Sequence, residues 1–334
     1  MAKKIGVWFP TVRTNTGTDV FTERLVAGLK KEGIRAEITW LPLRAEYCPW
    51  SVPIPKAPSW ATVVHVNTWL HSRFLPKNLP VVATLHHSIH DPELRPYKGW
   101  LRAMYHQYWI APNERRVMKK ANQVIAVSQF VADMAKKTLC DVPMQVIYNG
   151  IDTDKFKPDP NVKKPHKPFR LLYVGSWITR KGVDLLAPIM RELGDDFVLH
   201  YTGGEAAEKD KPAMPPNMVD IGRLTSDEVV IAMQNADAFL FPTRSEGFGL
   251  VVVEAMACGL PIIASHGTCI DELVAHGVNG LLCKRNNIED HSKNIIFCKN
   301  KLVENSSDVS SLDCRFSHAS MQHSYLTLYK ELVL

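Results

Sequence analysis

Residues 238–264 leave few folds open to this chain. An apolar run, Ala238-Phe239-Leu240-Phe241, is closed by Pro242, and a second run, Leu260 to Ala264, follows after Gly259. Between them lie a loop opened by Gly247 and Gly249 and an apolar stretch from Leu250. The pattern predicts strand, glycine-opened loop, helix, strand. The helix is apolar nearly throughout and is expected to be buried, yet it carries Glu254. An unpartnered carboxylate in such a place costs several kcal/mol, roughly, so the charge needs a partner. Gly247 and Gly249 let the backbone approach a ligand, and the helix start presents free amide groups to an anion. The alternative is a tight turn into a core helix whose Glu pairs with a nearby Arg.

The same alternation opens the chain. Ile5 to Phe9 reads as a buried strand, 10–17 as a loop, 19–31 as a helix stopped by Gly33, and 36–41 as a second strand. That is the first unit of a doubly wound parallel sheet. No GxGxxG is present, so the usual dinucleotide fingerprint is missing. Residues 63–67 and 80–86 are further strands with polar ends, and His86, His87 and His90 fall where open sheets of this kind hold ligands. A metal is a second use for such a cluster, but it has no accompanying Cys or carboxylate set.

Residues 169–175 form another predicted strand, followed by Ser176-Trp177-Ile178-Thr179-Arg180-Lys181-Gly182 and a helix to about Leu193. GxxxxGK[ST] is absent, so this is not a P-loop. Two adjacent cations at a strand-to-helix crossing suit a diphosphate, since charge-assisted bonds are strong and a departing phosphate gathers negative charge there. Surface cations opening a helix are the plainer alternative. Asp152-Thr153-Asp154 has the look of a D-x-D metal motif, but its place just before a Pro- and Lys-rich hinge at 158–168 argues for a turn. Beyond Asn287 the sequence is polar and poorly patterned until an amphipathic helix from about Phe316. No internal repeat is present.

Composition bounds the class. The chain has 334 residues, 46% hydrophobic and 22% charged, enough for two ordinary globular domains and not disordered as a whole. Seven cysteines form no CxxC pair, and Met1-Ala2-Lys3-Lys4 does not open a signal peptide, so a reducing cytoplasm is expected. No apolar run has the length to span a bilayer. The net charge of +6 conceals an asymmetry. Residues 1–165 hold 24 Lys and Arg against 13 Asp and Glu, or +11, and the remainder is −5. A basic first half suits an anionic surface or a phosphate-bearing acceptor, or is simply a solvated face. Within it, Trp100, Leu101, Met104, Tyr105 and Tyr108 fall on one helical stripe flanked by basic residues. Such a stripe fits a nucleic-acid groove, a membrane-interfacial helix, or a helix packing into its own core.

The motifs together resemble a known family. Glu246-Gly247-Phe248-Gly249-Leu250, with Glu254 and Ala255-Met256-Ala257-Cys258-Gly259-Leu260-Pro261 after it, is similar to the signature of the retaining group 1, family 4 glycosyltransferases. Asn149-Gly150-Ile151-Asp152 and 277–282 match that family as well. The fold this implies is GT-B: two Rossmann-like doubly wound α/β domains facing a central cleft. The implied division is 1–160 as the acceptor-binding domain, 169–315 as the nucleotide-sugar-binding domain, and 316–334 as a helix packing back on the first.

The implied activity is a metal-independent, retaining hexosyltransferase using a UDP- or GDP-linked sugar, without a cofactor. It would act on a glycan or lipid-linked acceptor in cell-surface polysaccharide or lipopolysaccharide synthesis. Its expected place is the cytoplasm, peripheral on the inner face of the membrane, with no nucleic-acid partner. By the same resemblance Glu254 takes the ribose hydroxyls, Glu246 and the amides around Gly247, Phe248, Gly249 and Leu250 hold the sugar, and Arg180 and Lys181 hold the diphosphate. His86 contacts the transferred sugar, Gly17 approaches the donor, and Gly222, Arg223 and Leu224 lie near the base. Thr18, Ser176 and Thr268-Cys269 depart from the family pattern. A non-catalytic partner subunit and a nucleotide-sugar epimerase of the same fold are the alternatives.

Overall fold

The first apolar run forms β1 (Gly6–Val12), whose Val7, Trp8 and Phe9 are covered on both faces. A computed structural model describes it together with the rest of residues 4–304 and 313–333. After β1 come α1 (Gly17–Lys31), β2 (Arg35–Leu41), α2 (Arg44–Tyr47), β3 (Val63–Asn67), β4 (Val81–Leu85), α3 (Trp100–Tyr105), α4 (Ala111–Lys120), β5 (Gln123–Ala126), α5 (Gln129–Thr138) and β6 (Met144–Val146). The six strands pair in parallel in the order β2-β1-β3-β4-β5-β6. β1 runs past Phe9 through Pro10. It pairs with β3 only at Val7 and Trp8, so Pro10 lies beyond that ladder, where a missing N–H is tolerated.

The chain then builds a second sheet from β7 (Phe169–Tyr173), α6 (Val183–Leu193), β8 (Phe197–Tyr201), β9 (Met218–Asp220), α7 (Ser226–Gln234), β10 (Ala238–Phe241), α8 (Leu250–Ala257), β11 (Ile262–Ser265), β12 (Gly280–Cys283) and α9 (Ile288–Glu304). Its order is β12-β11-β10-β7-β8-β9, again parallel. Before it, Asp152 Oδ1 accepts from the amides of Asp154 (3.1 Å) and Lys155 (3.2 Å), which makes the D-x-D segment a turn. Asp237, buried beside β10, ties down the hinge by accepting from the amides of His166 and Arg170.

Helix α9 occupies the stretch that looked unpatterned. Its inward positions are His291, Ser292, Ile295 and Cys298, which recur at helical spacing and are all buried. Two polar residues on that stripe hide it from any reading based on apolar periodicity. The chain finally returns to the first sheet as α10 (His318–Val333). Met321, Tyr325, Leu328 and Tyr329 join one buried cluster with Val7, Phe9, Phe21 and Leu25. Two compact units result, one of Met1–Gly150 with Arg315–Leu334 and the other of Ile151–Cys314.

The aromatic stripe of α3 resolves against core packing. Trp100, Leu101, Met104 and Tyr108 are exposed, and α3 has no buried residue. A π turn, His106–Ile110, separates α3 from α4, and the inward side is carried instead by His106, Ile110, Asn113, Glu114 and Val117.

Inside the first unit a polar chain crosses the core. His65 of β3, 3% exposed, meets the Tyr329 hydroxyl at 2.6 Å through Nδ1 and the Thr84 hydroxyl at 2.7 Å through Nε2. Burial, and secondarily His86, push its pKa from 6.5 down to about 3. The folded state therefore holds a neutral ring, while the unfolded chain takes up a proton below pH 6.5. Because the unfolded state binds more protons there, stability is complete above 6.5 and falls on acidification toward the folded value, by up to about 1.4 kcal/mol per pH unit. Urea titrations between pH 7 and pH 4 should show this fall, with a shallower slope in His65→Gln. At neutral pH the substitution should cost about 1–3 kcal/mol through hydroxyls left unpaired.

Candidate active site

In the second sheet the strand order reverses at β7 and β10. From β7 the chain winds outward through β8 and β9, and the later strands β10, β11 and β12 extend the other way. Loops following two such strands flank the crevice where open parallel sheets take their ligands. Here the loop after β7 carries Arg180 and Lys181, and the loop after β10 carries Glu246 to Gly249.

Two glycines shape these loops. Gly182, at φ +75°, links the turn Thr179–Lys181 to α6, and a Cβ on it would strike the backbone carbonyl of Pro242 at the end of β10. The two loops are in contact there, and only glycine supplies both the left-handed geometry and the clearance. Gly249, at φ +83°, caps α8.

The loops are also cross-linked by charge. The Lys181 ammonium pairs with the Glu246 carboxylate, which also accepts from the Thr243 hydroxyl at 3.0 Å. Both side chains are largely buried, and the Lys181 ammonium lies 5.3 Å from the centre of the Phe241 ring. Arg180 Nη1 donates to the Ser245 carbonyl at 2.6 Å, and the Arg244 amide donates to the Arg180 carbonyl at 3.0 Å. Arg244 itself is 5% exposed. Its guanidinium forks onto both oxygens of Asp184 in α6, at 2.6 and 2.8 Å, donates to Asn286 Oδ1 at 2.6 Å, and reaches the Thr179 carbonyl. Tyr173, at the end of β7, donates to the Ser176 carbonyl at 3.1 Å, and burial with the nearby Glu246 charge keeps its phenol protonated.

Glu254 stands in the second turn of α8, eight positions after Glu246. The helix is not buried all round as expected. Leu250, Val251, Glu254 and Ala257 form a half-exposed stripe, while Val252, Val253, Ala255 and Met256 face inward. Glu254 is therefore partly exposed rather than enclosed in an apolar core. Gly247 and Phe248 are buried in the loop.

Gly222, Arg223 and Leu224 follow β9. Asp220 accepts from the amides of Gly222 (2.8 Å), Gly203 (3.0 Å) and Gly204, folding the ends of β8 and β9 together. Burial works to raise the Asp220 pKa, but these amides and Lys211 outweigh it and hold the carboxyl below its usual range. Arg223 is exposed beside this turn.

In the first unit Gly17 opens α1, and Asp19 organises the preceding loop by accepting from the amides of Thr14 (2.9 Å) and Asn15 (2.7 Å). His86 follows β4, half-buried, its ring 4.6 Å from that of Phe21, one turn along α1 from Gly17. Burial pushes its pKa down to about 4, so it is a neutral ring near pH 7. His90 turns away to Glu114 at 2.9 Å, where Thr68 also donates. Among the described residues no three His, Cys, Asp or Glu side chains come together as a metal set.

The structure thus gathers Arg180, Lys181, Glu246 and Gly249 in one unit, with Glu254 on the helix that follows, and places His86 and Gly17 in the other. Sequence reasoning missed Thr243, Arg244, Asp184 and Asn286. Arg244 had a signal, since a buried Arg directly before the Glu246 loop needs a carboxylate and Asp184 lies in the first turn of the facing helix.

Comparison with known proteins follows the same division. A family model for glycosyl transferases group 1 matches residues 154–306, and one for glycosyltransferase family 4 matches residues 19–155. An uncharacterized glycosyltransferase of Methanocaldococcus jannaschii is 31% identical over 179 residues, covering 53% of this chain and 49% of that protein. The chain spans about half the length of the curated relatives it matches. Among solved structures, sucrose-phosphate synthase from Thermosynechococcus elongatus has a TM-score of 0.78 at 16% identity, covering 98% of this chain and 99% of that one. The Anabaena protein HepE, solved in complex with UDP and glucose, has a TM-score of 0.72 at 17% identity, covering 97% and 99%.

The Lys181–Glu246 pair is open to a double-mutant cycle. Lys181→Met should destabilise by about 2–4 kcal/mol, since it strips a largely buried carboxylate of the ammonium facing it. Glu246→Gln placed on top should cost less than it does alone, giving a coupling energy of about 1–3 kcal/mol by denaturant unfolding. Additive losses would mean that the two charges do not stabilise one another.

Proposed function

As the chain belongs to the group 1, family 4 glycosyltransferases and has their GT-B fold of two Rossmann-like units, we propose that it is a retaining hexosyltransferase. It takes a nucleotide-diphosphate sugar, UDP- or GDP-linked, and needs no metal ion. Its acceptor is a glycan or lipid-linked sugar of cell-surface polysaccharide or lipopolysaccharide synthesis. It works in the cytoplasm against the anionic inner face of the membrane, with the basic first half toward that surface. The observation that carries the reading is the meeting of Arg180, Lys181 and Glu246 on the two loops at the strand reversal. The UDP and glucose in the HepE complex are the ligands such a site would take.

In this reading the diphosphate draws Lys181 away from Glu246 and binds Arg180 beside it. Negative charge grows on the phosphate oxygen as the glycosidic bond breaks, and the two cations stabilise it. Glu246, parted from that ammonium, accepts hydrogen bonds from sugar hydroxyls, and Glu254 on the half-exposed stripe of α8 accepts from the ribose. The acceptor hydroxyl attacks from the leaving-group face, and its proton passes to the departing phosphate oxygen. The anomeric carbon keeps its configuration, and no protein nucleophile is required. His86, neutral near pH 7, is suited to hydrogen-bond the sugar without adding charge.

A panel of nucleotide sugars tests this. Transfer or slow hydrolysis with release of the nucleoside diphosphate and retention at the anomeric carbon is the expected result. Epimerisation, or binding with no turnover, would replace the reading with that of an epimerase or a non-catalytic subunit. Glu254→Gln should lower kcat/KM by the equivalent of about 1.5–3 kcal/mol, the value of hydrogen bonds to a charged group. The double variant of Arg180 and Lys181 should lose more turnover than either single change. Full turnover in that variant would remove the leaving-group role.

A further inference from the structure

The first unit leaves several of its large apolar side chains open to solvent. Trp100 is 70% exposed, Tyr108 69%, and Leu101 and Met104 lie with them on one segment. Trp50, 67% exposed, and Tyr47 extend the patch from the chain around α2. The two segments are fastened together from beneath. The Tyr105 hydroxyl donates to Glu46 Oε1 at 2.9 Å, and Trp109 Nε1 donates to the Glu46 carbonyl at 2.9 Å. Tyr47 lies 5.5 Å from Tyr105 and Trp50 6.0 Å from Trp109, ring to ring. The hydrogen-bonding groups of Tyr105 and Trp109 are thus directed inward, while Trp50, Trp100, Leu101 and Tyr108 stay exposed. A continuous apolar patch of this kind marks a docking surface.

Its surroundings are cationic. Residues 95–120 contain seven Lys or Arg and a single acid, Glu114, which is buried. Burial is the main influence on two histidines of this region, and nearby cations act in the same direction. His71, stacked on Trp109, is held below its ordinary pKa by burial and by Arg116, Arg73 and Lys120. His106 is lowered to about 4 by burial and by Lys98 and Arg102. Trp and Tyr favour the headgroup zone of a bilayer, and basic residues beside them favour anionic lipid. No helix among the described residues is long and apolar enough to cross a membrane.

We propose that this face seats the first unit on an anionic phospholipid bilayer, with Trp50, Trp100, Leu101 and Tyr108 entering the headgroup boundary and Arg102 and Arg116 meeting lipid phosphates. It rests on the membrane-surface partner proposed above and gives that partner a location; it stands apart from the transfer chemistry.

Sedimentation of the full chain with phosphatidylcholine vesicles, with and without phosphatidylglycerol, tests it. The wild type should bind anionic vesicles at least about tenfold more strongly than neutral ones. Trp100→Ser with Leu101→Ser should weaken that binding by about tenfold, and Arg102→Glu should weaken it several-fold with a flatter salt dependence. These positions are exposed, so the variants should keep the wild-type circular dichroism. Equal binding of wild type and double variant overturns the assignment of the face, as does self-association through it in place of vesicle binding. Absence of vesicle binding at low salt overturns the partner as well. Release of nucleoside diphosphate without vesicles reads the reaction separately, and its loss with vesicle binding intact would count against the transferase reading alone.

Discussion

The second unit depends on a cation and a carboxylate held face to face across two neighbouring strand ends. Lys181 and Glu246 come from loops 65 residues apart in sequence, yet β7 and β10 are adjacent in the sheet. Placing both charges in a largely dry setting carries a desolvation cost that only close pairing offsets. The loop geometry is set elsewhere, by Gly182 beneath the Pro242 carbonyl and by Arg244 forked onto Asp184. Pairing and scaffolding are thus divided between different side chains. Arg244 holds the loops through Asp184 and Asn286, contacts separate from the pair.

Much of this was legible before any coordinates. The strand–loop–helix units and the adjacent charges of the loop after β7 follow from apolar runs, glycines and residue type, whereas a division into domains is implied only by the family resemblance. What those signals lack is lateral order. Nothing in the linear pattern says that β10 lies against β7, so the Lys181–Glu246 contact could not be read, nor could Arg244 as the staple between loops. Helix α9 escaped because His291 and Ser292 occupy inward positions. The stripe on α3 showed its spacing but not its direction, and the π turn at His106–Ile110 is what turns the inward positions away from it.

The two histidines near the first sheet show how position separates like residues. His65 lies on β3 and His86 just past the end of the adjacent β4, both depressed in pKa by burial. His65 is saturated by Tyr329 and Thr84 and belongs to the core. His86 stands past the strand end against Phe21, half-buried. Thr84 links them, since it precedes His86 by two residues on the strand that His65 grips.

The return of α10 to the first sheet has a consequence for biosynthesis. Tyr325, Leu328 and Tyr329 complete a hydrophobic cluster whose other members, such as Val7 and Leu25, leave the ribosome some three hundred residues earlier. The amino-terminal half therefore waits, short of its final wall, while Ile151–Cys314 emerges as one uninterrupted stretch able to close on its own. The hydrophobic cluster of the first unit can close only once α10 has been made.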